Sequence, residues 1–558
     1  MSDQRMRLPD VAQARRHGPH LALAIFVIAA TFAGWKLFWF LTDDAFIAFR
    51  YISNEMRGFG LTWNPPPFRP VEGYTSFLWV VILELIWRVF GVEPPQSANW
   101  LSLALGYGTM GITYLFVRRL ALPRQLDRHR MLLTALAMIG ILTNRTFLAW
   151  LSSGLETTLF NFCAIWWAYL VWSPPDRRGR YWVLGLSTSA SLTALARPDG
   201  LLFCGASLAL VTLHLGQPPG SRLSSGRLLL QVIPFLAIPA HFAFRFMTYG
   251  EWLPNTYFTK YVAAWPASGM RYLASFVLEY GLWVWVILSS LCVGKSVRRK
   301  AGCLRASVSQ SVHVWIGVAA LAAHAAYYTF VIGGDHFEYR VYSHLIPLLF
   351  ILLVWLAGRL TSRTSAGVAV MLAAILVSWP IPWVHWMKTR HINTRHETVH
   401  LAYPIAGSFP RWLQPVIHRW DAWQFWLIDH SVCVRHQEHK VFYQSQIASY
   451  PSREKGSEIT WAERGIGALG TVGVPAWVLP EVAIIDMAGL NDRVIAHRPV
   501  DATQKRQMAH ERRPPPGYIE CFRLNLVYFG TPDLLFVRPR KPPLTDDEIR
   551  ACESQLWY

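Results

Sequence analysis

The sequence predicts an α-helical polytopic membrane protein with a smaller α/β domain outside the bilayer, and two features predict this class. Of the 558 residues, 53% are hydrophobic and only 16% are charged, whereas about a quarter are charged in a typical soluble domain. Apolar runs of about 20 residues, the length that crosses a hydrocarbon core, recur over residues 1–385. Over residues 386–558 the apolar runs are short, which indicates a separate extracytoplasmic domain.

The basic residues orient the predicted membrane helices. The net charge is +19, but most Lys and Arg lie in short segments between apolar runs, so the charge reports topology and not nucleic-acid binding. Segment 75–90 is apolar, yet it is short and carries Glu84 and Arg88. If segment 75–90 is not counted as a membrane span, the basic loops 118–130 and 295–300 lie in the cytoplasm, as the positive-inside rule requires. Segment 75–90 is therefore expected to lie at the outer interface.

About eleven spans remain, and they leave the polar motifs on one side. The predicted spans are 21–40, 97–117, 131–150, 155–172, 181–196, 200–215, 228–248, 271–293, 312–332, 342–358 and 366–385. The outward loops contain DDAFIAFR (43–50), VEGYTSFLW (71–79), GLETTLF (154–160), ARPDG (196–200), LPNTYFTKY (253–261) and GGDHFEYRVY (333–342). The inward loops hold basic residues, Pro and Gly, so any chemistry is expected at the outer face, at the level of the lipid headgroups.

Asp43 and Asp44 follow the first span directly. Acids in a first helical turn after an N-cap such as Thr42 are stabilised by about 0.3–1 kcal/mol through the helix dipole. Adjacent carboxylates also repel, so one of them is expected to hold a proton near neutral pH, and such a group suits general-base work on a hydroxyl. The two acids lie on different faces of a helix and therefore have different roles. Capping and catalysis both remain open.

The outward cations have two interpretations each. Arg197 either pairs locally with Asp199 or clamps a phosphate, because a guanidinium fork matches phosphate oxygens. Lys260 either extends to the interface beside Tyr257 or serves the same phosphate. Glu156 either caps the span 155–172 or binds sugar hydroxyls.

The motif GGDHFEYR supports two readings of its acids and His. Asp335, His336 and Glu338 have the donor types of a metal site, whereas the same residues with Arg340 also form a self-satisfied polar turn.

Several shorter patterns in the C-terminal region predict local structure. VAIIDM (482–487) and LNLVYF (524–529) predict strands, and the Trp-rich segment 386–430 favours the headgroup region over sugar stacking. GIGALG (465–470) lacks the apolar strand of a dinucleotide site and is interpreted as a glycine turn. His436 and His439 are interpreted as part of a solvated basic face, and three Cys in this region leave room for one disulfide of undetermined pairing.

Together, the outward motifs and IDMAGLNDRVIAH (485–497) resemble GT-C membrane glycosyltransferases over residues 20–500. The similarity is greatest to the transferases that use polyprenyl-phosphate arabinofuranose to modify cell walls or type IV pilins. The resemblance implies a bacterial inner-membrane enzyme whose site faces the periplasm, a polyprenyl-phosphate sugar donor, membrane lipid, and a glycan or protein acceptor. It implies interfacial helices in the first outer loop and no nucleotide, with a divalent metal neither required nor excluded.

The resemblance also assigns roles. Asp44 is expected to deprotonate the acceptor, and Asp43 to orient it or position a cation. The expected substrate-binding residues are Arg50, Glu72, Tyr74, Glu156, Arg197, Asp199, Asn255, Tyr257, Lys260, Asp335, His336 and Arg340. A different polyprenyl-phosphate sugar and a non-catalytic assembly factor remain as alternatives. A transporter is disfavoured, because no repeat is visible and the ionisable groups cluster at one face.

Overall fold

The computed structural model describes residues 11–174, 178–215, 225–300, 308–458, 463–501, 503–528, 535–555 and 557. Helices make up 67% of the structure, which confirms the predicted helical class. The helices of the membrane region and its loops are α1 (Val11–Leu37), α2 (Asp43–Met56), α3 (Phe77–Phe90), α4 (Pro94–Arg119), α5 (Arg124–Arg128), α6 (Arg130–Leu142), α7 (Arg145–Ala149), α8 (Thr157–Val171), α9 (Trp182–Ala196), α10 (Leu201–Leu215), α11 (Ser225–Val232), α12 (Ala237–Tyr249), α13 (Asn255–Lys260), α14 (Pro266–Glu279), α15 (Trp283–Lys300), α16 (Val308–Ala326), α17 (Leu345–Leu360), α18 (Thr364–Ser378) and α19 (Pro380–Thr389).

The remaining elements form the C-terminal region. They are α20 (Arg395–Thr398), α21 (Gln414–Asp429), α22 (His436–Ser449), α23 (Arg453–Glu458), α24 (Gly473–Val478), α25 (Arg493–His497), α26 (Tyr518–Cys521), α27 (Asp546–Ser554) and the strands β1 (Ile466–Leu469), β2 (Ala483–Asp486), β3 (Leu526–Tyr528) and β4 (Leu535–Val537). Strands β1 and β2 pair in parallel, and β3 and β4 pair antiparallel. The strands predicted in VAIIDM and LNLVYF are confirmed as β2 and β3.

Every predicted span contains apolar helix. In the described part of the chain, six segments are long and apolar enough to cross a membrane, or seven with one bent pair. They are Gly18–Leu37, Pro94–Arg119, Pro198–Leu215, Gly226–Tyr249, Val312–Ile332 and Thr364–Thr389. Four shorter apolar helices, α6, α8, α9 and α17, occupy further predicted spans. The chain is a polytopic membrane protein, and the count of eleven spans stays a prediction.

The predicted span 271–293 is divided by a sharp bend. Helices α14 and α15 meet at an angle of 85°, and the break includes Gly281, whose φ of 58° lies in the left-handed region that glycine adopts without strain. Glu279, at the end of α14, is fully buried and pairs with Arg435 of the C-terminal region. The ion pair between Glu279 and Arg435 therefore holds α14 against the C-terminal region. As a result, α14 does not continue along the direction of α15.

Helix α3 has the features of an interfacial helix. Its 14 residues extend about 21 Å, less than the hydrocarbon core of about 30 Å. Trp79 and Leu83 are buried against the protein, while Leu85 and Val89 on the other side are exposed and apolar. This arrangement agrees with the interfacial placement expected for segment 75–90.

The motif GIGALG is a strand and not a glycine turn. It contains the whole of β1, which pairs with β2 from Ile466 to Leu469. A Cβ on Gly467 would lie 2.6 Å from the Leu526 side chain of β3. The glycine is therefore required where β1 and β3 pack closely, a constraint that the spacing of glycines alone does not reveal.

A disulfide joins Cys521 and Cys552, and so links α26 to α27. The sequence left the pairing among Cys433, Cys521 and Cys552 open, and the structure leaves Cys433 as a buried free thiol. Disulfides form in oxidising compartments, so this one agrees with an extracytoplasmic location for the C-terminal region.

Arg50 joins the first loop to the C-terminal region. It is fully buried on α2, and its guanidinium donates hydrogen bonds of 2.8–3.2 Å to five carbonyls. The acceptors are the carbonyl oxygens of Trp63, Ala476, Leu479, Pro480 and Val482. Four of these carbonyls belong to the last turn of α24 and the loop after it, where helix carbonyls lack internal partners. The donors of Arg50 are bonded to backbone carbonyls, so its observed contacts are structural, and its role in substrate binding stays a prediction.

We expect Arg50→Met to lower the stability of the protein by about 3–5 kcal/mol, because it leaves buried carbonyls without donors. Thermal unfolding of purified protein in lipid nanodiscs measures the loss. Arg88→Met is the control, because Arg88 lies in an exposed ion pair with Glu84 on α3, and such a pair contributes less than about 1 kcal/mol. Equal stability of the two variants would contradict the assignment.

Candidate active site

Charged side chains from four segments meet at one end of the membrane helices. The Lys260 ammonium lies in the electrostatic field of Asp44, Arg340, Asp335 and Glu156. These groups come from the start of α2, the start of α8, the end of α13 and the loop between α16 and α17. Lys260 keeps an exposed surface although protein charges surround it. A side chain that is open to solvent on one side and surrounded by protein charges on the others lies in a cleft.

Asp44 and Lys260 are the unpaired groups of this cleft. Asp44 is half-buried, and neither its carboxylate nor the Lys260 amine makes a hydrogen bond or ion pair within the described ranges. The neighbouring charges are all bonded to protein, as the pairs Arg340–Asp335 at 2.9 Å and Arg197–Glu156 at 3.1 Å show. A free carboxylate beside a free ammonium leaves one acceptor and three donors for a ligand.

Arg197 anchors a second set of charges at the edge of the cleft. Its guanidinium donates to Glu156 at 3.1 Å, to Asp199 at 3.2 Å and to the Tyr328 hydroxyl at 2.6 Å. The pair with Asp199 is the local interaction that the sequence allows, and it leaves the proposed phosphate clamp untested. His324 Nε2 lies 2.9 Å from the same Asp199 carboxylate.

The sequence interpretation missed His324 and Tyr328. A signal for His324 existed, because a titratable residue inside the apolar run 312–332 is expensive unless it has a partner. Glu156 is the N-cap residue of α8, as expected, but its carboxylate bonds Arg197 and makes no capping hydrogen bond.

Asp43 faces away from this arrangement, towards the C-terminal region. Its carboxylate accepts hydrogen bonds from the backbone N–H of Gly473 at 3.1 Å and of Val474 at 2.8 Å. Burial, helped by the charge of Asp44 and opposed by these N–H groups, raises the pKa of Asp43 to about 7. One of the two acids thus holds a proton near neutral pH, as expected, but burial is the larger cause. Both oxygens of Asp43 are bonded to backbone, so its contacts in the structure are those of an anchor, and its catalytic role stays a prediction.

Three more predicted binding residues have structural roles. Glu72 is 3% exposed, and both of its oxygens bond Arg245 of α12. The Tyr74 hydroxyl lies 3.2 Å from that of Tyr249. Their polar atoms are buried on protein partners, and their assignment to substrate binding stays a prediction.

Asn255 is the third of these residues with a structural role. Its amide donates to the carbonyls of Gly489 and Leu490 at 2.9 Å, and so holds the IDMAGLND loop against α13. Tyr257, two residues later, is different: its ring is 42% exposed and stacks on Tyr261. Tyr257 therefore remains available to a ligand at the mouth of the cleft.

The GGDHFEYR motif does not converge on a metal. Asp335 pairs with Arg340, Glu338 pairs with Arg145, and His336 Nδ1 lies 2.7 Å from the Ser431 carbonyl oxygen. Among the described residues, no group of three or more His, Cys, Asp or Glu could hold a metal ion. The side chains of the motif satisfy one another and their neighbours, which favours the polar-turn interpretation.

The interpretation of His436 and His439 as a solvated face is wrong. Both are buried at the start of α22. His436 Nε2 lies 3.2 Å from the Phe38 carbonyl oxygen, and the His439 ring packs 4.4 Å from that of Phe337. Helix α22 therefore buries its first turn against the end of α1 and the loop before α17.

A cavity of about 590 Å³ lies elsewhere, in the C-terminal region between α26 and β4. Its charged lining is Glu520, Arg523, Arg538 and Arg540. None of these belongs to the Asp44–Lys260 cleft. The candidate site is therefore defined by its unpaired charges and not by the volume of a cavity.

Comparison with known proteins identifies a solved structure with a similar fold. No protein-family model and no curated protein matches the chain. The apo crystal structure of ArnT from Cupriavidus metallidurans superposes with a TM-score of 0.50 at 14% identity, covering 84% of this chain and 87% of that one. The chain has the GT-C fold. The structure of the same ArnT bound to undecaprenyl phosphate gives a TM-score of 0.49 at 12% identity, covering 85% and 87%.

The buried Asp43 gives a pH dependence of stability with a definite sign. Its folded-state pKa of about 7 lies above the ordinary 3.8, so the stability it contributes is complete below about pH 4 and is lost as the pH rises through about 7. The shift corresponds to at most about 4 kcal/mol. We expect Asp43→Asn to remove this loss between pH 4.5 and 8.5.

Thermal unfolding across that pH range, in nanodiscs, checks the expectation. Asp127→Asn serves as the control, since Asp127 is a carboxylate on α5 with 52% of its side chain exposed. A wild type whose unfolding temperature changes with pH in parallel with that of Asp43→Asn would contradict the anchoring role.

Proposed function

We propose that the chain is a membrane glycosyltransferase that moves a sugar from a polyprenyl phosphate to an extracytoplasmic acceptor. The observation that carries the proposal is that the Asp44 carboxylate and the Lys260 ammonium, both without a protein partner in the described ranges, share a cleft of a GT-C fold. A base for the acceptor and a cation for the leaving group are the two charges that this reaction needs.

The step itself balances with these residues. The acceptor O–H bond breaks as Asp44 takes the proton, and the acceptor oxygen bonds the anomeric carbon of the sugar. The bond from that carbon to the phosphate oxygen breaks, and polyprenyl phosphate leaves with the electron pair. Lys260, together with Arg340 and Arg197, stabilises the developing phosphate charge. This course inverts the anomeric carbon; in a retaining course Asp44 would bond the sugar first.

The donor and acceptor follow from several lines of support. ArnT, whose fold the chain shares, has been crystallised with undecaprenyl phosphate. The resemblance of the outward motifs favours arabinofuranose as the sugar and a cell-wall glycan or pilin-like protein as the acceptor. Within this proposal, residues 1–385 carry the catalytic domain, and residues 386–558 bind or orient the acceptor. Substrate binding is assigned to Lys260, Arg340, Arg197, Tyr257 and the groups bonded to them.

We expect Asp44→Asn to lower the rate of sugar transfer about 10²–10⁴-fold through loss of the general base. Lys260→Met is expected to lower it about 10²–10³-fold through loss of charge on the leaving phosphate. The assay follows loss of sugar from synthetic polyprenyl-phosphate arabinofuranose in nanodiscs, with other polyprenyl-phosphate sugars in parallel.

Glu55→Gln is the matched control, because Glu55 lies on the same helix as Asp44 and pairs with Arg88 at the surface. Wild-type rates in Asp44→Asn would remove the carboxylate from the mechanism. Transfer from another sugar alone would keep the enzyme class and replace arabinose. No transfer from any donor would favour the assembly factor.

The proposed periplasmic location has its own test. In membranes isolated from a bacterial host under non-reducing conditions, Cys521 and Cys552 are expected to resist a maleimide-polymer reagent until a reductant is added. Cys521→Ser, which frees Cys552, is the control for reactivity. Equal labelling before and after reduction would place this region in a reducing compartment.

A further inference from the structure

Two imidazole rings lead from the cleft towards solvent. His336 is half-buried in the loop beside Asp44, and His510 is exposed in the C-terminal region. Their ring centroids lie 5.2 Å apart, a separation that one hydrogen bond or one water molecule spans. Asp44 acts electrostatically on His336, and His510 is the most exposed of the three groups.

Backbone carbonyls fix the tautomer of both rings. His336 Nδ1 lies 2.7 Å from the Ser431 carbonyl oxygen, and His510 Nδ1 lies 2.7 Å from that of Met508. A carbonyl oxygen only accepts, so each Nδ1 carries the hydrogen and each neutral ring keeps its lone pair on Nε2. Neither Nε2 has a hydrogen-bond partner within the described ranges. Each ring therefore has one lone pair free to accept a proton.

Other groups around His336 set its charge state. Asp44 on α2 and Asp335 on its own loop favour the protonated ring, and His510 disfavours it. His439 of α22 lies 5.2 Å away by ring centroids, and Arg340 is paired with Asp335. Burial and the neighbouring His510 lower the pKa of His336 to about 4, so the resting ring is neutral and able to accept a proton.

We infer that His336 and His510 form a proton relay that carries the acceptor proton from Asp44 to solvent after each transfer, a role that rests on the proposed function. The Asp44 carboxyl O–H bond breaks and a bond from hydrogen to His336 Nε2 forms. The imidazolium then passes a proton to His510 Nε2, and His510 releases it to water. Each ring returns to its neutral form, and Asp44 is again a carboxylate for the next acceptor.

The activity test compares His510→Ala with wild type in nanodiscs between pH 5 and 9. We expect kcat to fall about 10-fold, with KM unchanged, because binding is untouched while proton release slows. Added imidazole should restore most of the rate in His510→Ala, and should not restore Asp44→Asn. His396→Ala is the control, because His396 is exposed on α20.

Two outcomes of this assay overturn the relay. A His510→Ala enzyme with the wild-type kcat and pH profile, unresponsive to imidazole, overturns the relay alone and leaves the proposed function standing. A wild type that transfers no sugar from any donor overturns the proposed function and the relay with it.

A second measurement does not depend on turnover. Nitrogen-15 NMR of labelled His should show hydrogen on Nδ1 of both rings, and the pKa of His336 should rise in His510→Ala, because the neighbouring imidazole that disfavours the protonated ring is removed. Hydrogen on Nε2 of His336 would overturn the relay. So would zinc bound by the wild type and lost in His510→Ala, since the lone pairs would then be occupied by metal.

Discussion

The structure depends on the contact between α2 and the short helix α24. Asp43 accepts from the first N–H groups of α24, and Arg50, two turns further along α2, donates to its last carbonyls. An anion at a helix start and a cation at its end each complement the dipole of that helix. Because α2 is held at both points, the remaining acid, Asp44, has a fixed position facing the cleft.

The charges of this region separate into two classes by their partners. Glu338, Arg145, Arg435 and Glu279 form buried ion pairs that join the loop before α17 to α7, α14 and α22. Breaking such a pair leaves a buried charge uncompensated, so these residues define the shape of the site without reacting in it. A catalytic group instead needs an unsatisfied atom with access to a ligand, and Asp44 meets that requirement.

Local patterns allowed the membrane helices, strand β2 and the different directions in which Asp43 and Asp44 point to be predicted, because each depends on residues close in sequence. The roles of Arg50 and Asn255 could not be predicted. The Arg50 partners in the C-terminal region lie more than 420 positions away, and a cation near a bilayer suggests a ligand when its true acceptors are unknown. Strand β1 was not predicted. Its glycines allow close packing on β3, and that contact cannot be read from the spacing of the glycines. His510 was missed because only the fold brings it beside His336.

The contact of Asp43 with Gly473 joins residues 430 positions apart. During synthesis, the first loop emerges long before the ribosome has made α24. The acid that precedes Asp44 therefore lacks its backbone donors until residue 473 has been made, late in translation. The position of α2, and with it that of Asp44, is thus fixed only after the C-terminal region has folded.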